Sequence, residues 1–281
     1  MNKPIATIKR TNEILKKYDL FAKKKYGQNF IIEPKIVENI ASVAIDKEDS
    51  LVIEVGPGIG ALTEQLAKKA KKVIAFEIDE RLKEVLEDTL SEYPNVEVII
   101  ADFLNIDLEK FLNEVRKDYE TIYFVSNLPY YITTPILFKL FECNEQFDAI
   151  TCMMQKEVAL RFSAKVNSSD YNALSIMAQY LYNLKIVLNI PKTIFNPKPN
   201  VDSAVIRFVP KKDTKINQGL FDFIKICFKQ RRKTLYNNMR AVYASDLVNE
   251  VLDKCQIDVN VRAQELEIDD FIKIYEVLNE R

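Results

Sequence analysis

Histidine is absent from the 281 residues of this chain. Its absence excludes Ser-His and Cys-His nucleophilic mechanisms, as well as any metal site that depends on histidine ligands. The few cysteines are widely separated and form no Cys-x-x-Cys pair, so we predict neither a zinc site nor a disulfide framework. We therefore expect no metal and four buried, reduced thiols: Cys143, Cys152, Cys227 and Cys255.

Long apolar runs are also missing. No segment reaches the roughly 18 apolar residues needed to span a bilayer, and the lysines near the amino terminus are not followed by an apolar stretch of the kind found in signal peptides. These absences predict a cytoplasmic protein with no membrane partner.

The net charge is only −1, but the charges are segregated along the chain. Acidic residues concentrate in 77–92 and 265–270, whereas basic residues dominate 1–26 and 225–240. Such segregation fits a nucleic-acid partner bound through its phosphates, although lysine runs are often only solvated faces. The two basic groups are Lys3, Lys9, Arg10, Lys16, Lys17, Lys23, Lys24 and Lys25, and then Lys225, Lys229, Arg231, Arg232, Lys233 and Arg240.

Short apolar runs alternate with helical patterns from residue 51 to residue 154, which predicts an α/β fold whose parallel strands are covered on both faces. A final strand pair joined by a proline-rich loop favours a mixed sheet of about seven strands. After residue 210 only helical spacing remains. We thus predict a catalytic domain over 1–210, with a basic segment 1–30, and a small helical domain over 211–281. The predicted strands are 51–55, 73–76, 96–100, 122–126, 149–153, 184–190 and 204–209.

A glycine-rich turn, Gly56, Gly58 and Gly60, lies between the first of these strands and a helical stretch. Glycines let the backbone approach a ligand closely, and the helix that follows presents unpaired N–H groups. Glu54 precedes the turn, and an acidic side chain suits a ligand with a cationic amino acid portion better than a pyrophosphate. The turn therefore predicts a nucleotide or nucleoside site.

Carboxylates follow the next two predicted strands. Glu77 ends one strand, where it can accept hydrogen bonds from both hydroxyls of a ribose, and Asp102 follows the other. Ligands of open α/β folds bind at this carboxyl edge of the sheet, so the three features together describe a nucleoside pocket. A dinucleotide enzyme is the alternative, but the glycine spacing departs from the Gly-x-Gly-x-x-Gly fingerprint.

The tetrapeptide Asn127-Leu128-Pro129-Tyr130 follows the fourth predicted strand. The Asn127 side-chain oxygen and a backbone carbonyl of the Leu128 to Pro129 segment can accept the two protons of an aromatic amine such as that of adenine, and Tyr130 can stack on the base. Acceptors of this kind draw the poorly nucleophilic amine toward tetrahedral geometry. The alternative is an ordinary strand that ends in a turn.

These motifs resemble those of the S-adenosylmethionine-dependent ribosomal RNA adenine dimethyltransferase family, which modifies adenines near the 3′ end of small-subunit rRNA. The resemblance covers nearly the whole chain, and it implies a Rossmann-like class I methyltransferase fold. Five blocks carry it in order: Tyr26-Gly27-Gln28-Asn29-Phe30, residues 54–60, Glu77 with Asp102, residues 127–132, and residues 195–203.

The resemblance also implies roles for individual residues. Glu77 would hold the ribose of S-adenosylmethionine, and Asp102 the amino group of its adenine. Asn127, with the Leu128 and Pro129 carbonyls, would hold the target amine, while Tyr130 and Phe195 would sandwich the target base. The remaining cofactor contacts would come from Asn29, the backbone around Ile31, Gly56 and Asn127.

We therefore predict dimethylation of N6 on two adjacent adenines of small-subunit (16S) rRNA, within a pre-assembled small subunit. One alternative is the resistance-type enzyme that methylates an adenine of large-subunit (23S) rRNA, which shares the overall layout. The other is a non-catalytic ribosome-assembly factor that keeps the fold as a scaffold.

Overall fold

The computed structural model describes residues 3–20, 29–145, 147–212 and 214–280. It divides the chain into two compact units. Unit 1 comprises Met1–Ala159 and Asn183–Pro210, and unit 2 comprises Leu160–Tyr182 and Lys211–Arg281. The division after Pro210 coincides with the predicted domain boundary. Residues 160–182, however, were assigned to the catalytic domain by the sequence prediction and lie in the second unit.

The reason is a set of aromatic contacts between segments that are distant in sequence. Within unit 2 the Tyr180 ring lies edge-on to Phe221, with centroids 6.0 Å apart. The Tyr171 and Phe228 rings are similarly arranged at 6.4 Å. Neighbourhood in sequence, which set the predicted boundary, does not reveal such a discontinuous unit.

A seven-stranded sheet forms the centre of unit 1, in the order β4-β3-β2-β5-β6-β9-β7. The strands from β4 to β6 run parallel, and β9 is antiparallel to β6. The predicted mixed sheet is confirmed, and each predicted strand is present with ends that differ by at most two residues. The strands are β2 (Leu51–Val55), β3 (Lys72–Glu77), β4 (Val96–Ile100), β5 (Ile122–Asn127), β6 (Ala149–Gln155), β7 (Tyr182–Ile190) and β9 (Ser203–Pro210).

The central strands are apolar because both of their faces are covered. Every residue of β2 is buried, whereas the edge strand β4 has no fully buried residue. Helices of unit 1 begin at local signals: Pro34 occupies the first turn of one helix, and Asp107 accepts a hydrogen bond from the Lys110 N–H to cap another. These helices are α1 (Ile8–Lys17), α2 (Pro34–Ala44), α3 (Ala61–Ala67), α4 (Leu82–Thr89), α5 (Leu108–Val115) and α6 (Thr133–Phe141).

A small two-stranded sheet, which the sequence did not reveal, joins β1 (Phe30–Ile31) to β8 (Phe195–Asn196). In its antiparallel register Ile31 is paired with Phe195, and the Ile32 N–H donates to the Ile194 carbonyl at 2.9 Å. Two predicted site residues that are distant in sequence are thereby held side by side.

The elements of unit 2 are helical in the range that the structure describes beyond residue 213. The apolar residues at helical spacing, such as Phe221, Ile224 and Cys227, form its buried face, as predicted. Within the described ranges, no helix is both long and apolar enough to cross a membrane. The helices are α7 (Lys156–Phe162), which spans the division between the units, α8 (Ala173–Leu181), α9 (Gln218–Cys227), α10 (Leu235–Met239), α11 (Ser245–Cys255) and α12 (Ile268–Asn279).

Candidate active site

One pocket lies in unit 1 at the carboxyl ends of β2, β3, β4 and β5, where ligands bind in open α/β sheets. Its empty volume is about 1080 Å³, part of which is open to solvent, so a ligand of nucleoside size fits. The structure brings every predicted site residue to its wall. They are Asn29, Ile31, Gly56, Glu77, Asp102, Asn127, Leu128, Pro129, Tyr130 and Phe195.

The glycine turn has left-handed backbone at Gly56, Gly58 and Gly60, with φ values of 71°, 60° and 91°. Side chains rarely adopt this conformation, which explains the three glycines. A Cβ atom on Gly60 would also lie 3.0 Å from Leu90 Cδ2, and one on Gly56 would lie 3.6 Å from Pro129. The turn therefore directly adjoins the Asn127 motif.

Glu54 lies under this turn with only 1% of its surface exposed. Burial raises the pKa of its carboxyl from an ordinary 4.5 to about 8; the charge of Glu77 adds to the rise, and the Thr63 side chain offsets part of it. Its Oε2 atom has no hydrogen-bond partner among the described residues. A buried, unpartnered carboxyl oxygen on a pocket wall is suited to a cationic ligand group.

Glu77 is held by the backbone on both sides. Its Oε1 accepts from the Asp79 N–H at 2.9 Å, and its Oε2 accepts from the Gly58 N–H at 3.4 Å. Burial raises the pKa of this carboxyl, and the two backbone N–H groups oppose that rise. Each oxygen keeps a lone pair for a ligand hydroxyl, so the side chain is oriented before any ligand arrives.

Asp102 is the cap of a 3-10 turn, Phe103–Asn105. Its Oδ1 accepts from the Leu104 N–H at 2.9 Å, which fixes the carboxylate against the turn. The Phe103 ring lies edge-on to Phe76 with centroids 5.4 Å apart, so an aromatic wall stands next to this acid.

The Asn127 motif presents oxygens that are not yet engaged. The Leu128 N–H donates to the Met153 carbonyl at 3.1 Å, which extends the sheet by one bond. The Pro129 carbonyl already accepts two bonds, from the Ile132 N–H at 3.1 Å and the Thr133 hydroxyl at 3.0 Å. By contrast, neither the Asn127 side chain nor the Leu128 carbonyl has a hydrogen-bond partner in the part of the chain that the structure describes.

Two aromatic side chains predicted to contact the target base line the same pocket. The Tyr130 hydroxyl lies 2.9 Å from the Ser203 hydroxyl, which tethers the tyrosine ring to β9. Phe195 is 4% exposed and is held in β8. The predicted block that precedes Asn29, including Tyr26 to Gln28 and Lys23 to Lys25, lies outside the described residues.

The pocket also contains residues to which the sequence analysis assigned no site role: Ile78, Phe103 and Tyr131. The first two each come directly after a predicted pocket carboxylate, Glu77 or Asp102. Position after such an acid is a signal that could have identified them. Among the described residues, no group of three or more cysteine, aspartate or glutamate side chains could hold a metal ion.

The sheet order, with β9 antiparallel to β6, and the carboxylate-lined glycine turn define a Rossmann-like methyltransferase. The model of the ribosomal RNA adenine dimethylase family matches residues 20–280. The chain belongs to this family, and the prediction made from its motifs is confirmed.

Curated relatives match along the whole length. A protein of Bacillus licheniformis named ribosomal RNA small subunit methyltransferase A is 47% identical, covering 100% of this chain and 99% of its own. One of the same name from Leuconostoc mesenteroides is 46% identical over 99% of this chain and 97% of its own.

Two solved structures are similar to this chain over most of its length. A dimethyladenosine transferase from Plasmodium falciparum has a TM-score of 0.71 at 27% identity, covering 87% of this chain and 95% of its own. The 23S rRNA methyltransferase ErmE has a TM-score of 0.62 at 26% identity, covering 90% of this chain and all of its own.

Proposed function

We propose that this protein dimethylates N6 of two adjacent adenines near the 3′ end of small-subunit rRNA, with S-adenosylmethionine as methyl donor, during small-subunit biogenesis. One observation carries the chemistry: two oxygen acceptors, on Asn127 and Leu128, have no partner among the described residues and line the same pocket as the glycine turn. The choice of the small subunit is supported by relatives of that name at 46% and 47% identity.

The charge of the pocket supports the donor. Three acidic side chains, Glu54, Glu77 and Asp102, line it. Burial favours the protonated form of Glu54, and a cationic ligand group beside it would favour the carboxylate, so the pocket suits a ligand with a cationic amino acid portion and a sulfonium rather than a pyrophosphate. In this proposal Glu77 holds the ribose hydroxyls and Asp102 the adenine amino group. Asn29 and the backbone at Ile31 and Gly56 complete the contacts, and the bound donor supplies an electrophilic methyl group.

The target amine is held by the Asn127 side-chain oxygen and the Leu128 carbonyl. Both carbonyls of the Leu128 to Pro129 segment were predicted for this role, but the Pro129 oxygen already accepts bonds from Ile132 and Thr133. When bound, S-adenosylmethionine would supply the methyl group and leave as S-adenosylhomocysteine. The Asn127 and Leu128 oxygens would then stabilise the positive charge that develops on the target nitrogen. No general base is needed, because the resulting ammonium loses its proton readily.

The flat base stacks on aromatic side chains, Tyr130 and Phe195. Stacking contributes about 1–3 kcal/mol per base in nucleic-acid complexes. Because Tyr130 is tethered through Ser203 and Phe195 is held in β8, both rings are positioned in advance.

RNA docking is proposed for the basic turn of unit 2, in which Lys229, Arg232 and Lys233 are exposed. Two other predicted basic residues are already paired, Lys17 with Asp88 and Lys225 with Asp222, both at 2.8 Å. Phosphate contacts by the exposed turn predict binding that weakens steeply with salt. The proposed partner is a pre-assembled small subunit, and we expect the protein to act on it in the cytoplasm.

A methyl-transfer assay tests this function. Labelled S-adenosylmethionine is supplied with unmodified small subunits or unmodified large subunits, and the modified bases are mapped. We expect label only in the small subunit, on two adjacent adenines that each carry two methyl groups. Label in the large subunit would select the resistance-type activity, and binding without any transfer would select the assembly factor.

A further inference from the structure

Lys139, near the end of α6, contacts the loop that follows β4. Its Nζ donates to the Leu104 carbonyl at 2.8 Å and also to the Ile106 carbonyl. The ammonium lies 5.9 Å from the centroid of the Phe103 ring, within cation-π range. Burial lowers the pKa of this lysine, so its contacts are made in a partly desolvated site.

These contacts lead to a pocket carboxylate. Leu104 accepts from Lys139 through its carbonyl and donates its N–H to Asp102 Oδ1 at 2.9 Å. The same short turn therefore joins the lysine to the aspartate, while Lys139 itself does not line the pocket. A change in the lysine contacts would alter the direction of the Asp102 carboxylate.

The opposite end of α6 is fixed to the Asn127 motif. The Ile132 N–H and the Thr133 hydroxyl, in the first turn, both donate to the Pro129 carbonyl. A helix of nine residues is about 13 Å long and stiff over that distance. Thus α6 connects the acceptor motif, at its start, to the Asp102 turn, which Lys139 contacts from its last turns.

We propose that Lys139 is a positioning residue: its hydrogen bonds to the 103–106 turn orient Asp102 toward the adenine amino group of the methyl donor. This inference rests on the proposed function, since it takes the donor as S-adenosylmethionine and Asp102 as the reader of its adenine. Its consequence is selective, because donor affinity depends on Lys139 only when the ligand has an amino group for Asp102 to accept from.

The test uses calorimetric binding of S-adenosylhomocysteine and of its analogue with purine in place of adenine, which lacks the amino group. Lys139→Met keeps the aliphatic stem but removes all donors, and Lys139→Arg restores a charged donor. Lys273→Met is a matched control, because Lys273 also donates to a backbone carbonyl, that of Cys255 at 2.9 Å, within unit 2.

We expect Lys139→Met to weaken S-adenosylhomocysteine binding about tenfold, the loss that follows when a charge-assisted contact is misaligned. Binding of the purine analogue should change less than about twofold in all variants, and Lys139→Arg should recover most of the affinity. With saturating donor, the turnover of Lys139→Met should stay close to that of the native protein. Lys273→Met should leave both affinities unchanged.

Other outcomes distinguish a failure of the proposed function from a failure of the positioning role of Lys139. If the native protein fails to bind S-adenosylhomocysteine, the proposed function is at fault. If it binds, and Asp102→Asn weakens binding while Lys139→Met does not, the positioning role alone is overturned. Equal losses of affinity for both ligands in Lys139→Met would also overturn the positioning role, since they would indicate that Lys139 supports the pocket as a whole and does not orient Asp102 in particular. In an Asp102→Asn background the lysine change should have no further effect.

Discussion

The two sides of the pocket differ in how far their polar groups are already engaged. One side, here called the donor side, is the one proposed to hold the methyl donor. There, backbone N–H groups hold both oxygens of Glu77 and one oxygen of Asp102. The other side, here called the acceptor side, is the one proposed to hold the target amine. There, the Asn127 side chain and the Leu128 carbonyl make no hydrogen bond to described residues. The fold therefore orients the carboxylates proposed to hold the methyl donor, whereas the Asn127 and Leu128 oxygens remain able to accept from a substrate.

The largest effect should come from the acceptor side. Asn127→Ala removes one of two acceptors for the amine, and we expect turnover to fall on the order of 100-fold or more. RNA affinity should stay within about tenfold, because phosphate contacts dominate it. Single-turnover methylation and filter binding measure the two quantities. Asn113→Ala, on the exposed face of α5, is the control; normal methylation by Asn127→Ala would refute the chemistry.

On the donor side, Glu77→Gln replaces one carboxylate oxygen by an amide N–H₂ group, which faces the Gly58 or the Asp79 N–H and cannot accept from a ribose hydroxyl. We expect donor affinity to fall about tenfold, the worth of a charge-assisted hydrogen bond. Turnover at saturating donor should be preserved, since these contacts are the same before and during methyl transfer. A loss of turnover with unchanged donor affinity would contradict the proposed role of Glu77 in holding the methyl donor.

Glu54, also on the donor side of the pocket, makes the stability of the protein depend on pH. Its pKa rises from 4.5 unfolded to about 8 folded, so the native state holds more protons than the unfolded state between these values. The free energy of unfolding should therefore fall as pH rises through this window, by up to about 1.4 kcal/mol per pH unit.

Glu54→Gln cannot ionise, so this part of the pH dependence should disappear. Denaturant unfolding of both proteins at several pH values between 5 and 9 measures it. The same slope in native protein and variant would show that Glu54 is not the group responsible. Exposed Glu109→Gln is a control for the loss of a carboxylate.

The smallest effect tests the tether on the acceptor side. Tyr130→Phe keeps the ring but loses the bond to the Ser203 hydroxyl, and Ser203→Ala loses the same bond from the other partner. Each should reduce turnover by a factor of about 2 to 10, the worth of one neutral hydrogen bond. The double variant should be no worse than either single one; fully additive losses would show that the tether does not position the ring.

Much of the fold follows from patterns that can be read along the chain. Unbroken apolar runs predicted the sheet strands, and Gly56, Glu77, Asp102 and Asn127 lie at or just after the carboxyl ends of strands that are consecutive along the chain. Carboxyl ends of parallel strands meet at one edge, so their convergence on a pocket was predictable. The enzyme family was predictable as well, because five motifs occur in the order typical of it.

Other features depend on contacts between distant segments. The pairing of Ile31 with Phe195 uses strands of two residues, too short to produce a periodic signal. The inclusion of 160–182 in unit 2 depends on aromatic contacts such as Tyr171 with Phe228. Neither local propensity nor spacing encodes such partners.

The amino-acid sequence by itself determined the order of strands and helices, the polar groups at each strand end and the family. Only the tertiary structure decided which of those groups form hydrogen bonds to other described residues. It engages the Pro129 carbonyl, leaves that of Leu128 without a partner in the described part of the chain, and directs Lys139 to the turn of Asp102. The physical reason is that periodicity and propensity are local, whereas hydrogen-bond satisfaction depends on every group that folding brings within about 3 Å.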